Sequence, residues 1–211
     1  TLLALAIPLF GEVPLQGKSP RAQHVVLISI DGLRSDALLV LGPKGAPNFH
    51  RLLEGASTLN ARTDPDYSIT LPNHVGMLTG RVYKGKNGHQ WSKNSTPKEK
   101  EVLSCSGIYE VAHKEKIYTG LLATKKKFIL FPSSWPGTIT QTLIKEVPAE
   151  ADVAANQREI TQALIGILKT QKRSLTMVHY LGPDVAGHGH GWDLTNDSAY
   201  LKSIQAVDVE L

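Results

Sequence analysis

A chain of 211 residues with 41% hydrophobic content can bury one sizeable core, so one domain, or one large piece of one, is the default expectation. Its net charge is +4, but the basic residues are scattered apart from Lys125, Lys126 and Lys127 and the neighbourhood of Lys98 and Lys100, so each run reads as a solvated face and a nucleic-acid partner is not the first reading. Cys105 stands alone, which excludes an intrachain disulfide in this segment and leaves no cysteine spacing for zinc.

Residues 1–10 are almost wholly apolar and too short to cross a bilayer. That suits the core of a secretory signal peptide without its basic start, and it predicts a secreted or periplasmic protein. No small-x-small cleavage site follows Phe10, and an apolar arm packed on the domain has the same composition.

Residues 24–30 (HVVLISI) form a continuous apolar, β-branched run, the pattern of a buried central strand, which empties into a loop at Asp31-Gly32. Residues 47–54 predict a short helix with Pro47 in its first turn and Gly55 closing it. Residues 57–63 predict a second strand. After a loop at 64–68, residues 71–78 carry helical spacing up to Gly80, which places Thr70 at or near a helix N-terminus. Residues 81–97, rich in Gly, Lys, Asn and Ser, predict a long surface loop of the length that usually carries function. A helix over 101–115, a strand over 116–123, a helix over 153–168 and a buried strand over 174–181 follow. That last strand empties into a Gly-rich run, 182–191, read as a loop. Strands alternating with helices argue an α/β fold with a mostly parallel central sheet and helices on both faces. The apolar-periodic run 200–211 carries no stop signal, so the chain is expected to be truncated at the C-terminus.

Ligand sites in such sheets form beyond the carboxyl ends of the strands, and two of these strands deliver an aspartate there, Asp31 and Asp184. Taken singly, the candidate clusters are modest. A strand-terminal Asp-Gly is commonly a turn, and Thr70 or Ser68 in the Ser-Ile-Thr-Leu-Pro-Asn-His segment has an ordinary role as a helix cap. Asp184 and His188, four apart, offer a carboxylate oxygen and an imidazole nitrogen, donors suited to zinc or a similar divalent ion. A solvated turn accounts for the same residues.

The order of the motifs is more specific. VVLISIDGLRSDAL (25–38), APNFHRLLEGAS (46–57), ARTDPDYSITLPNHVGMLTGR (61–81), GHQWSKN (88–94) and HYLGPDVAGHGHG (179–191) together resemble the alkaline phosphatase superfamily, specifically its type I phosphodiesterase and nucleotide pyrophosphatase members. The resemblance implies an alkaline-phosphatase-like fold. It also implies a two-metal hydrolase that cleaves phosphodiester or pyrophosphate bonds of a small phosphorylated substrate through a phospho-threonine-type intermediate. Residues 1–23 are then an N-terminal segment and linker, and 24–211 the N-terminal part of one catalytic domain.

By the same resemblance, Asp31 matches the carboxylate on the metal nearest the nucleophile, and Thr70 the nucleophile, whose oxygen touches that metal. Asp184 and His188 match ligands of the other metal, and two zinc ions are the expected cofactors. Asn94, at the family's interval after Gly88-His89, matches the residue that helps hold a phosphoryl oxygen, with Asn87 and Asn73 as weaker candidates. Lys125 to Phe128 matches a Lys-rich turn and is read as structural. His74, His89, His179 and His190 receive no metal role, although His190 is a candidate for a supporting place beside His188.

The family's remaining ligands, an adjacent Asp-His pair and a later His, have no counterpart in these residues, and they are expected in a continuation past Leu211. The sulfatase signature Cys-x-Pro-Ser-Arg is absent, and Cys105 lies in Ser-Cys-Ser-Gly. Two other readings stay open. One is a phosphomonoesterase or phosphonoacetate-type phosphonate hydrolase; the other is a non-catalytic relative that binds an anion.

Overall fold

The computed structural model describes residues 22–146 and 150–211. The apolar run 1–10, on which the expectation of export rests, and nearly all of the linker lie outside the described residues. Among the described residues no helix is long and apolar enough to cross a membrane.

Four strands form one parallel sheet in the order β1-β4-β2-β3: β1 (His24–Ile30), β2 (Tyr118–Ala123), β3 (Gln141–Ile144) and β4 (Ser174–Tyr180). β4 lies between β1 and β2 and is buried along almost its whole length, which is why SLTMVHY is a continuous apolar run rather than an alternating one. In register, Ile30 pairs with Tyr180 and Ala123 with His179. The carboxyl ends of these three strands are therefore level. Whatever follows each strand, Asp31, Thr124-Lys125 and the 182–191 run, arrives at one edge.

The helices cover both faces. On one side α1 (Ser35–Gly45), α2 (Pro47–Leu53), α6 (Val153–Thr170) and α8 (Ala199–Asp208) bury Leu38, Phe49, Ile160, Leu164, Ile204 and Val207 against Ile30, Leu122, Val178 and Tyr180. On the other side α3 (Thr70–Thr79), α4 (Ile108–Lys114) and α5 (Leu130–Ser134) bury Leu71, Val75, Tyr109 and Phe131 against Leu121, Ala123 and Met177. Leu121, Leu122 and Ala123 alternate between these two cores, as period-two geometry requires. Burying such side chains is worth about 1.5–3 kcal/mol each, so the two cores dominate the folding energy.

Three expectations need correction. Residues 57–63 form no strand. They contain only Leu59 and Ala61 as apolar residues, and local side-chain bonds compete with strand pairing: Asn60 N donates to Thr58 Oγ1 at 3.1 Å, while Ser57 Oγ turns back to donate to Leu53 O of α2 at 3.0 Å. The helix expected over 101–115 begins only at Ile108. Leu103 is buried, the Trp135 indole N–H donates to Cys105 O, and Glu110 reaches back to accept from Gly107 N at 3.1 Å, which sets the helix start. The Gly-rich run after β4 is not a loop. It is a helix, α7 (Gly182–His190), with Pro183 in its first turn and Gly191 just past its end.

Candidate active site

The edge where β1, β2 and β4 end opens into a cleft of about 460 Å³, and its lining includes Asp31, Thr70, Asn94, Asp184 and His188. Asp31 arrives first, directly after β1, and its backbone N–H extends the ladder by donating to Tyr180 O at 2.9 Å. Gly32 then turns the chain with φ +72°. A Cβ at this position would lie 2.7 Å from the Asp184 Cα and 2.9 Å from the Trp192 ring. Only glycine permits both the left-handed turn and this approach, and the approach brings α7 beside the end of β1.

Thr70 is the first residue of α3. Its hydroxyl donates to Asp31 Oδ2 at 3.1 Å. One turn later, His74 Nδ1 donates to the Thr70 carbonyl at 2.6 Å, while Ser29 Oγ donates to His74 Nε2 at 2.8 Å. The backbone carbonyl can only accept, so His74 carries its proton on Nδ1 and the serine hydroxyl must be the donor to Nε2. Ser29 lies two residues before Asp31 on β1. The imidazole therefore bolts the start of α3 to the strand that carries Asp31. Burial, with the neighbouring His179 ring, pulls His74 down to about 3, so it is neutral at ordinary pH.

Asp184 and His188 lie one helical turn apart on α7, which puts both on one face, with His188 Nε2 3.5 Å from Asp184 Oδ1. His188 is 74% exposed and meets the edge of Trp192. His190 turns away from the cleft and pairs with Glu150 at 3.0 Å, so the supporting place beside His188 is not where the structure puts it. Asn94 comes from the 81–97 loop. Its Oδ1 accepts from Leu71 N at 2.9 Å and from Lys127 Nζ at 3.2 Å. Both partners can only donate, so the amide orientation is set and Nδ2 is left as the free donor. Of the weaker candidates, Asn73 lines the cleft, with its amide donating to Ile69 O, whereas Asn87 is exposed and offers its carbonyl to Arg81.

Sequence reasoning misread the lysine turn. Lys125, two residues past β2, sends its ammonium between the two carboxylates, 2.5 Å from Asp31 Oδ2 and 2.7 Å from Asp184 Oδ2. It is only 16% exposed, not part of a solvated face. Burial works against its charge, but the two carboxylates outweigh burial and raise its pKa. Asp31 shows the complement. Burial alone would raise it, yet His179 and Lys125 hold it well below the usual carboxylate range. Lys127 is shifted the other way, lowered by burial and by Lys125. The available signal was position, since Lys125 leaves a central strand at the same edge as Asp31. Lys126 does behave as the solvated reading expects, with an exposed pairing to Glu146 at 3.4 Å.

The arrangement suits cations. Two carboxylates converge on a single positive charge, and a hydroxyl and an imidazole flank them. Among the described residues no group of three or more His, Cys, Asp and Glu side chains is placed to hold one metal ion. The donors come instead as pairs, Asp31 with Thr70 and Asp184 with His188.

No curated protein matches this chain. Among solved structures, murine ectonucleotide pyrophosphatase/phosphodiesterase 5 in an inactive variant complexed with AMP is similar over 90% of this chain and 50% of its own length, at 19% identity and a TM-score of 0.64. A second structure of that murine protein gives 88%, 50%, 19% and 0.62. The chain thus spans about half the length of these solved relatives, and at this identity the likeness concerns the fold. The family model for type I phosphodiesterase / nucleotide pyrophosphatase matches residues 25–211, nearly everything from the first strand onward, and the chain belongs to that family.

Proposed function

We propose that this chain is the nucleophile-bearing part of a two-metal hydrolase acting on phosphodiester or pyrophosphate bonds, with Thr70 as the attacking residue. The observation that carries the proposal is the Thr70 hydroxyl at the N-terminus of α3, 3.1 Å from Asp31. Membership of a phosphodiesterase and pyrophosphatase family supports the reaction class. The inactive form of the murine neighbour carries a threonine-to-alanine change, and it is that form which is complexed with AMP. A nucleotide-like phosphoryl substrate is in keeping with both.

Asp31 and Thr70 would hold one divalent cation, and Asp184 and His188 a second, with zinc the natural choice for mixed oxygen and nitrogen donors. When bound, these ions supply the charge that favours the threonine alkoxide and stabilises the departing oxygen. The rest falls to the protein. His74 and Ser29 fix the start of α3, so that Thr70 Oγ1 faces the cleft and the positive end of the helix faces the phosphoryl group. Asn94 Nδ2, left free by the two donors on Oδ1, is placed to donate to a phosphoryl oxygen. Attack forms the Oγ1–P bond and breaks the bond from phosphorus to the leaving oxygen. Water then cleaves the Oγ1–P bond and returns the hydroxyl.

A second reading is favoured by Lys127, which donates to Asn94 and has no carboxylate partner among the described residues. An extra cation beside the phosphoryl position suits a phosphomonoester or a phosphonate, whose reacting group carries more charge than a diester. Turnover of a nitrophenyl phosphodiester against the corresponding monoester separates the two. The nucleophile is tested by Thr70→Ala in the full-length protein, which should lower kcat at least about a thousandfold without moving Tm. Near-normal turnover would mean that Ser68 or water attacks directly.

A further inference from the structure

Lys125 is the second residue past β2, and the turn that carries it is anchored at both ends. The Thr124 hydroxyl donates to His179 O at 3.0 Å, which ties the turn to β4. Phe128 N donates to Lys125 O at 3.1 Å, which ties it to the short helical turn at Lys126–Ile129. Lys125 itself is extended, with φ −131° and ψ 125°, and its side chain runs to the edge where β1 and β4 end. There the ammonium donates to Asp31 Oδ2 and to Asp184 Oδ2, one oxygen from each of the two donor pairs. Asp31 Oδ2 is also the oxygen that accepts from the Thr70 hydroxyl. The lysine side chain is 16% exposed and the two carboxylates 15% and 17%, so solvent screens these charges weakly.

We infer that Lys125 is a competing cation that weakens metal binding at both donor pairs, so that a divalent ion must displace its ammonium to enter; the inference rests on the two-metal reading above. The ammonium and an ion draw on the same carboxylate oxygens, because Lys125 takes one oxygen from each pair. Its charge also opposes any further cation brought to Asp31 or Asp184. Displacement is open to it: the stem of a lysine is flexible and its head is a strongly hydrated point charge, so the ammonium can swing toward water while the anchored backbone stays in place. The same contacts compensate two carboxylates that burial would otherwise leave facing each other without a counter-charge, and removing one partner from a buried ion pair is strongly destabilising. One residue therefore stabilises the fold and opposes the metals. A residue that merely oriented the carboxylates for the ions would have the opposite effect on their affinity.

The test compares wild type, Lys125→Met, Lys125→Gln and Lys125→Arg in the full-length protein. Zinc affinity is read by competition with a chromophoric chelator, and Tm is read after chelation and again with saturating zinc. We expect the neutral variants, Lys125→Met and Lys125→Gln, to bind zinc about 10- to 100-fold more tightly than wild type, the scale of effect when a like charge a few ångströms away is removed. Their Tm after chelation should lie below that of wild type, and zinc should raise it by a larger increment. Lys125→Arg, which keeps the charge, should bind zinc more like wild type than like either neutral variant. Lys125→Gln retains a donor for one carboxylate, so the comparison survives if the Met variant does not fold. Neutral variants that bind zinc more weakly than wild type would overturn the inference and make Lys125 a support for the carboxylates. Equal zinc affinities with only a lowered Tm would overturn it too, leaving a structural ion pair. Zinc bound by none of the four proteins would instead overturn the two-metal reading from which the inference starts.

Discussion

Thr70 and His188 line one cleft in very different surroundings. Thr70 opens a helix whose first turn is tied to β1 through the His74 imidazole, and its hydroxyl has a fixed acceptor in Asp31. His188 is 74% exposed, lies 3.5 Å from Asp184 and meets the edge of Trp192. One side is organised by buried hydrogen bonds before any ligand arrives. On the other, Lys125 holds Asp184 at 2.7 Å, while His188 is placed beside it by helical spacing. On the proposed reading the difference suits the two roles: an attacking oxygen needs a fixed direction, whereas an exposed metal-binding side chain can be drawn into place by the ion it binds.

The largest break in this comparison should come from the loosely held side when metal is removed. Chelation should abolish phosphodiester hydrolysis by the full-length protein, zinc should restore it first among divalent ions, and His188→Ala should cost about 100-fold in activity with Tm unchanged. A chelated sample that keeps its original rate would remove the metals from the account. A smaller effect is expected at Asn94, where Asn94→Ala should lower kcat by about 10- to 100-fold, within or just below the range for loss of one donor to a developing anion. If KM alone rises, Asn94 binds substrate without stabilising the transition state.

The smallest effect sharpens the rigid side. His74 is held neutral, with its folded pKa down at about 3 against an ordinary 6.5. A depressed folded pKa means that its contribution to stability is complete above pH 6.5 and is lost as pH falls from there toward 3. Denaturant unfolding should therefore show wild type losing up to about 1.4 kcal/mol per pH unit across that window relative to His74→Gln. Parallel curves for the two proteins would show that the imidazole is not buried as a neutral bolt.

Much of this architecture is written into particular residues, and some of it is not. SLTMVHY reads as a buried strand because a parallel strand covered on both faces needs no polar positions. HVVLISI, read as a buried central strand, instead stands at the edge of the four-stranded sheet, with only Ser29 and Ile30 buried and Val25 exposed. Thr70 at a helix start followed from the spacing of 71–78 and from Gly80, which takes the left-handed cap with φ 67°. Asp31, Thr70, Asp184, His188 and Asn94 all line one cleft. Residues 57–63 misled because too few of them are apolar to pack as a strand and no strand lies beside them, pairing being a tertiary property. α7 was missed because three glycines mask a helix whose fourfold spacing of Asp184 and His188 was the better clue. Lys125 was hidden for another reason. Among three consecutive lysines only the fold distinguishes the one between two carboxylates from the one facing Glu146 in solvent.

The claim that joins these observations is that Thr70 itself becomes esterified during turnover. Acid quenching of the full-length protein during hydrolysis of a nucleoside 5′-phosphodiester, followed by peptide mass mapping, tests it directly. The account predicts a nucleotidyl mass added to the peptide carrying Thr70 and located on that residue, with none in Thr70→Ala. Sustained turnover with an unmodified Thr70, or an adduct on Ser68, would contradict it.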